Sequence, residues 1–267
     1  MASSTRQALA AAKEALAPKA AKADLKFAEE IFAIGAAIGS SVQLRNILSD
    51  PSGEQKAKAG ALQAVFGKAV SKDALEFATN LSGYRWSKGG DLVAAFTQLG
   101  VFTIASIVSK EKQLAELESE LFAFNQALAS DRELQQAFSS RQAPLDAKLE
   151  LIESLTKKKV SEAASVLLRN AVINSKNVRL AVVLDGFIKQ VSAFASRLVA
   201  NVTVASELSK SQVERLEKTL AKTYGQEINL NVEIDPSILG GVKVQVSGQI
   251  IDGSVVARLN QAKMQLA

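Results

Sequence analysis

The chain contains no histidine and no cysteine in its 267 residues. That removes the thiolate nucleophile, the imidazole general base, haem ligation, disulfides and the common zinc sites. Any chemistry would have to run on carboxylates, lysines, hydroxyls or a carboxylate-bound metal. Glu116 and Glu120 stand four apart on one helix face, a pairing that most often faces solvent, and no second ligand set accompanies them. Lys157-Lys158-Lys159 lies among Glu150, Glu153 and Glu162, as expected of a solvated helix end rather than a phosphate-binding patch. Gly240-Gly241 lacks the spacing of a phosphate loop and is followed by a strand pattern, so it reads as a tight approach to that strand. Trp86, the one tryptophan, reads as a packed inter-helix corner or an interface anchor. No nucleophile–base constellation emerges, and neither a cofactor nor a metal site is expected.

Helices must position these residues. Proline numbers only 4 and glycine 15, which favours helices over a many-stranded sandwich. Hydrophobic residues make up 48% and charged residues 22%, enough to bury a core. Leu114, Leu117, Leu121, Phe124 and Leu128 form one apolar helical stripe. Breaks are expected at Ser40–Ser41, Asp50–Gly53, Gly67–Ser71 and Ser87–Gly90, with Ser52 as an N-cap. Met1–Lys22 is Ala/Ser/Lys-rich and reads as an amphipathic first helix in preference to a targeting leader. The longest apolar run is Val101–Val108, interrupted by Thr103 and Ser106, so no membrane span is expected.

A shift of about 90 residues reveals an internal repeat. Glu30-Ile31-Phe32-Ala33 falls on Glu120-Leu121-Phe122-Ala123, Ala57-Lys58 on Ala147-Lys148, and Val70-Ser71 on Val160-Ser161. One residue of slip brings Phe96 onto Phe187. The first copy has an extra leading helix, about Ser3–Leu16; a long helix through Phe96–Leu114 is expected to serve both copies. The last seventy residues change period. Ala200, Val202 and Val204 alternate with polar or small residues, as do Ile228–Ile234 and Val242–Val246. Ser209 and Gln212 form a capping box for an intervening helix that Gly225 closes. Gln249–Ile251 makes a short return strand, and Val255, Leu259, Ala262 and Leu266 mark a final helix. The fold class is mainly α, with a small β-α-β-β-α end. The expected domains are a first helical bundle copy at 1–110, a second at 111–197 and a small α/β domain at 198–267.

Net charge is +5, divided as +4, +1 and 0 over those three segments. The excess suits steering of an acidic partner. A basic helical nucleic-acid-binding module is the alternative that the charge and Lys157–Lys159 allow, and it predicts steeply salt-dependent binding.

The C-terminal pattern is specific. Ile234-Asp235-Pro236-Ser237-Ile238-Leu239-Gly240-Gly241-Val242 leads into Val244 and Val246, then Ile251-Asp252-Gly253-Ser254 and Arg258-Leu259. This resembles the delta subunit of bacterial F-type ATP synthase, whose mitochondrial counterpart is the oligomycin sensitivity conferral protein. Phe32 through Leu48, Lys58, Val70, Leu75 and Arg85 are similar to that family's six-helix bundle. Two departures stand out. Gly83-Tyr84-Arg85-Trp86 replaces the family's usual Asn-Gly-Arg turn, and the common bacterial form is about two-thirds of this length.

The resemblance implies a mechanical part. Such a subunit joins the catalytic head to the peripheral stalk on the cytoplasmic face of the bacterial plasma membrane. It holds the head still during proton-driven ATP synthesis and has no catalytic activity of its own. Its implied partners are the alpha subunits of the head and the b-type stalk subunits, with no nucleic acid and no direct membrane span. The family's head-binding groove lies between the first and fifth bundle helices. Here that suggests Leu9, Ala12 and Leu16 with Ala74, Leu75, Ala78 and Leu81, and a related surface at Ala164, Leu167, Leu168 and Ala171 in the second copy. The family signature residues are Asp235, Pro236, Gly240, Gly241, Asp252, Gly253, Ser254 and Arg258.

Overall fold

The computed structural model describes residues 3–252 except 21, 141, 158, 177, 198, 207, 225–227, 236–237, 239 and 247–248. The expected closing role of Gly225, the signature residues Pro236, Gly253, Ser254 and Arg258, and the final helix lie outside the described residues. The chain divides into two compact units, residues 1–192 and 193–267.

The first unit is helical. Helix α1 (Ser3–Ala20) is followed by α2 (Leu25–Ser40), α3 (Val42–Ser49), α4 (Gln55–Phe66), α5 (Lys72–Gly83) and α6 (Gly89–Lys110). Then come α7 (Leu114–Ser130), α8 (Arg132–Ser139), α9 (Leu145–Thr156), α10 (Glu162–Asn174) and α11 (Leu180–Arg197), the last running across the boundary into the second unit. The bounds of α3 and α8, and of α4 and α9, differ by 90 residues at both ends. The helix starts have related causes. Asp24 caps α2, Ser41 and Asp131 cap α3 and α8, and Ser71 and Ser161 cap α5 and α10. In each case a side-chain oxygen accepts from a backbone N–H of the first turn that has no partner within the helix.

The start of α4 departs from expectation. Its N-cap position is Glu54, which makes no capping bond. Ser52 turns back instead, and its N–H and hydroxyl both donate to Asp50 Oδ1, at 2.9 and 2.7 Å. An Asx turn has taken the serine before the helix begins.

The long helix expected to reach Leu114 stops at Lys110. Lys112 adopts φ 60°. The N–H of Gln113 donates to Val108 O and that of Lys112 to Ser109 O, at 3.2 and 3.1 Å. This is a Schellman closure with lysine where glycine is usual. Helix α6 nonetheless touches both copies, packing on α1, α2 and α3 and also on α7 and α10. By length and composition it is apolar enough to cross a membrane. The uninterrupted-run reading missed this because Gly, Thr and Ser punctuate it. Within the bundle it is the core helix: Leu92, Phe96, Leu99, Val101 and Ile104 are buried, and Asp91 accepts from Thr5 Oγ1 at 2.7 Å.

Helices α2 and α6 cross closely. A Cβ on Gly35 would sit 2.5 Å from Phe96 Cβ, so only glycine fits there. The first copy's core gathers Leu16, Ile31, Ile34, Leu48, Leu62, Leu81, Trp86 and Leu99. In the second copy Leu117, Leu121, Leu128, Phe138, Ile152, Leu167, Leu184, Phe187 and Val191 are buried.

The second unit holds β1 (Val199–Val204), α12 (Lys210–Tyr224), β2 (Asn229–Ile234), β3 (Val242–Val246) and β4 (Gln249–Asp252). The capping box forms: Ser209 N–H donates to Gln212 Oε1 at 2.8 Å, and Gln212 N–H to Ser209 Oγ at 3.4 Å. The sheet order is β2-β1-β3-β4. Strand β1 runs parallel to β2 and antiparallel to β3, and β3 and β4 are antiparallel. Parallel β1 and β2 need a crossover connection, which contains α12. Ala200, Val202, Val204, Val244 and Val246 form one buried face with Leu220 and Ile228. Alternation sets that face.

Candidate partner-binding site

Of the seven groove residues expected in the first copy, five are core. Ala12, Leu16, Ala74, Ala78 and Leu81 are buried, and Leu9 and Leu75 are half-buried against the same cluster. Helical spacing alone does not separate a core stripe from a groove floor, because both recur every three to four residues. The surface between α1 and α5 is instead written in polar residues. Lys19 Nζ pairs with Glu76 Oε1 at 3.0 Å, and Asp73, Glu76 and Asn80 are exposed along α5. An exposed pair of this kind adds only about 0–1 kcal/mol.

In the second copy, Ala164, Leu167, Leu168 and Ala171 are all buried. The outward side of α10 differs from that of α5. Ala163, Val166 and Asn170 are buried too, and α10 contacts α2 and α6 of the first copy. The second copy's fifth-helix face is therefore covered from within the chain, while the first copy's is open.

Both copies share a clamp that the carboxylate reading missed. Ser71 Oγ donates to Glu30 Oε2 at 2.5 Å. Ninety residues on, Ser161 donates through both N–H and Oγ to Glu120, each at 2.6 Å. Glu120 is thus a structural acceptor, while Glu116 is exposed. Each serine also caps its own helix, at Ala74 and Ala164. The signal available in the sequence was the repeat itself, which carries Glu30 and Ser71 onto Glu120 and Ser161.

Near α4, Asp50 is held below the ordinary carboxylate value, chiefly by the Ser52 hydroxyl and then by its N–H, with Lys58 adding attraction. Burial pushes the Lys58 ammonium down. Its Nζ donates to Ser82 O at 2.9 Å. Trp86 is buried, with Nε1 donating to Leu81 O at 2.9 Å, so it fills a corner rather than offering an anchor. Lys157 and Lys159 are exposed at the end of α9.

In the second unit, Gly240 and Gly241 have φ 140° and 90°, directly before β3. That backbone favours glycine and explains the pair. Asp235 N–H extends the ladder to Val204 O at 2.9 Å, and its carbonyl accepts from Ile238 N–H at 3.1 Å. Asp252 ends β4. The outer strands expose apolar residues: Val232 and Ile234 on β2, Ile250 and Ile251 on β4. Exposed edge strands of this kind are ready surfaces for pairing with another chain.

These features have relatives. Residues 101–266 match the family described as ATP synthase delta (OSCP) subunit. That match begins inside α6 and takes in the second copy and the sheet unit. The chain is 39% identical to the ATP synthase subunit delta of Leifsonia xyli subsp. xyli, over 100% of both chains. Identity to the subunits of that name from Pseudarthrobacter chlorophenolicus and Streptomyces griseus subsp. griseus is 36% and 35%, again over 100% of both. With full-length relatives above 30% identity and a family match over most of its residues, this chain belongs to the ATP synthase delta (OSCP) subunit family.

Proposed function

We propose that the chain is the peripheral-stalk subunit that joins the catalytic head of an F-type ATP synthase to its membrane-anchored stalk. Family membership makes it a subunit of the ATP synthase, associated with other subunits of a membrane-associated complex. The finer reading assigns roles to its parts. The first copy's open α1–α5 face takes an N-terminal helix of an alpha subunit, over Leu9 and Leu75 and beside Lys19 and Glu76. Ala12, Leu16, Ala74, Ala78 and Leu81 hold the two helices at a fixed spacing beneath it. The second unit takes the b-type stalk subunits, for which the apolar edges Val232, Ile234, Ile250 and Ile251 are suited. Such a joint resists rotation and catalyses nothing, in keeping with a sequence free of histidine and cysteine. The complex sits on the cytoplasmic face of the plasma membrane.

The observation that carries this reading is the asymmetry of the two fifth-helix faces, one covered and one open. The test uses the chain's lack of cysteine. Leu75→Cys and Ile250→Cys each introduce the sole thiol. In the assembled complex, Leu75→Cys is expected to crosslink to an alpha-subunit N-terminus and Ile250→Cys to a stalk subunit. Reversed partners, or a chain that does not co-purify with head and stalk, would overturn it.

A further inference from the structure

The two copies differ at one corner. In the first, Gln55 Nε2 donates to Thr79 O at 2.7 Å, Lys58 Nζ reaches Ser82 O, and Trp86 is tucked in against Leu81 O. These three side chains tie α4 and the α5–α6 loop onto α5. At the offset of 90 the second copy carries Leu145, Lys148 and Lys176. Lys148 instead donates to Phe138 O on α8, at 2.8 Å. Leu145 is 38% exposed, and Lys176 lies at the surface. The corner is left as an open cleft of about 650 Å³ among α8, α9, α10 and α11. It adjoins a second hollow of about 500 Å³ that shares Phe138 and Leu180 as lining.

The floor is apolar, with Phe138, Val172 and Leu180 buried, and Val178 stands 48% exposed on the rim. Lys148, Lys176 and Arg179 line this cleft, and Arg132 lines the adjoining hollow. Among the described lining residues there is no aspartate or glutamate. We propose that this cleft docks an acidic segment of a partner protein that carries one aromatic anchor. Charge selects the segment: cations with no carboxylate among the described lining residues raise the encounter rate for an anion and disfavour a second copy of this +5 chain. The anchor follows from the first copy, which supplies Trp86 from its own loop where the second copy has Lys176. A buried aromatic in a desolvated pocket is the usual energetic centre of such a contact. This inference goes beyond the stalk reading, since neither the open α1–α5 face nor the sheet edges take part in it.

The test uses the full-length chain and a labelled oligoglutamate peptide with one central tryptophan, followed by anisotropy and by amide chemical shifts at low salt. The shifts are expected to centre on Val178, Leu180 and Ala143. The double variant K176E/R179E should weaken binding by about tenfold or more, and so should replacing the peptide's tryptophan with alanine. The first-copy variant K56E should not. V178D, on the same rim, gives a second check should the double variant fail to fold. An oligolysine peptide that binds as well would overturn the proposal. So would shifts elsewhere, full binding by folded K176E/R179E or by V178D, or no binding at millimolar peptide. A chain dimer that K176E/R179E abolishes would assign the cleft to a second copy and overturn it equally.

Discussion

The two bundle copies follow one plan with different tolerances. In the first, glycine at position 35 lets α2 and α6 approach until Phe32 and Phe96 fill the crossing. In the second, Asn125 stands at the matching place, and its Nδ2 donates to Asp185 Oδ1 on α11 at 2.7 Å. Phe32 is buried, whereas its counterpart Phe122 is 53% exposed. Lys58, Gln55 and Trp86 close the first copy's corner; the second copy's corner is open. The same helix order, with bounds that match at α3 and α8 and at α4 and α9, therefore gives a tightly closed bundle and a looser one. The difference lies in a few side chains at crossings, not in the path of the chain.

Gly35→Val should have the largest effect. A branched side chain driven into Phe96 is expected to cost about 3 kcal/mol by urea unfolding. Asn125→Ala at the matching crossing should cost about 1 kcal/mol or less, the worth of one exposed hydrogen bond. Equal costs would remove the contrast between the copies.

The Ser–Glu clamp tests what the copies share. Ser71→Ala and Ser161→Ala should each cost about 1–2 kcal/mol, since each loses an N-cap and a carboxylate partner. A loss at only one of them would mean that the clamp works in one copy alone. Lys112→Gly, at the turn between α6 and α7, should add about 0.5–1 kcal/mol by relieving a left-handed backbone. Thermal unfolding would report it, and an unchanged midpoint would argue that lysine bears no strain there.

The smallest effect concerns pH. Asp50 has its folded-state value lowered from the ordinary 3.8. Its contribution is therefore present above that value and lost as pH falls through the lower, folded one. Asp50→Asn should be less stable than the parent at neutral pH, with the gap closing on acidification below 3.8. Ser140, at the matching place in the second copy, carries no carboxylate, so Ser140→Ala should show no such slope.

Much of this was legible in the sequence, for identifiable reasons. Ser41, the Asp50–Gly53 turn and Ser71 stop or cap helices by local hydrogen bonding, which acts within a few residues and leaves a local signal. The 90-residue register carried the plan of one copy onto the other. Ser209 and Gln212 announced α12, and Gly240-Gly241 announced a backbone that favours glycine. What was hidden depended on distant partners. Ser52 was claimed by Asp50. Lys112 closed a helix with no glycine to mark it. Glu120 found Ser161 forty-one residues away. Five of the seven groove residues are buried and only Leu9 and Leu75 reach the surface, because periodicity says which face is apolar but not what lies over it.

The proposed role is a mechanical joint between head and stalk. Its most direct test is add-back to membranes stripped of the subunit, following proton-driven ATP synthesis and ATP hydrolysis side by side. The joint predicts that stripped membranes lose synthesis while the detached head still hydrolyses ATP, and that adding the chain restores synthesis. Synthesis that persists without the chain, or a head that cannot hydrolyse ATP without it, would contradict the account.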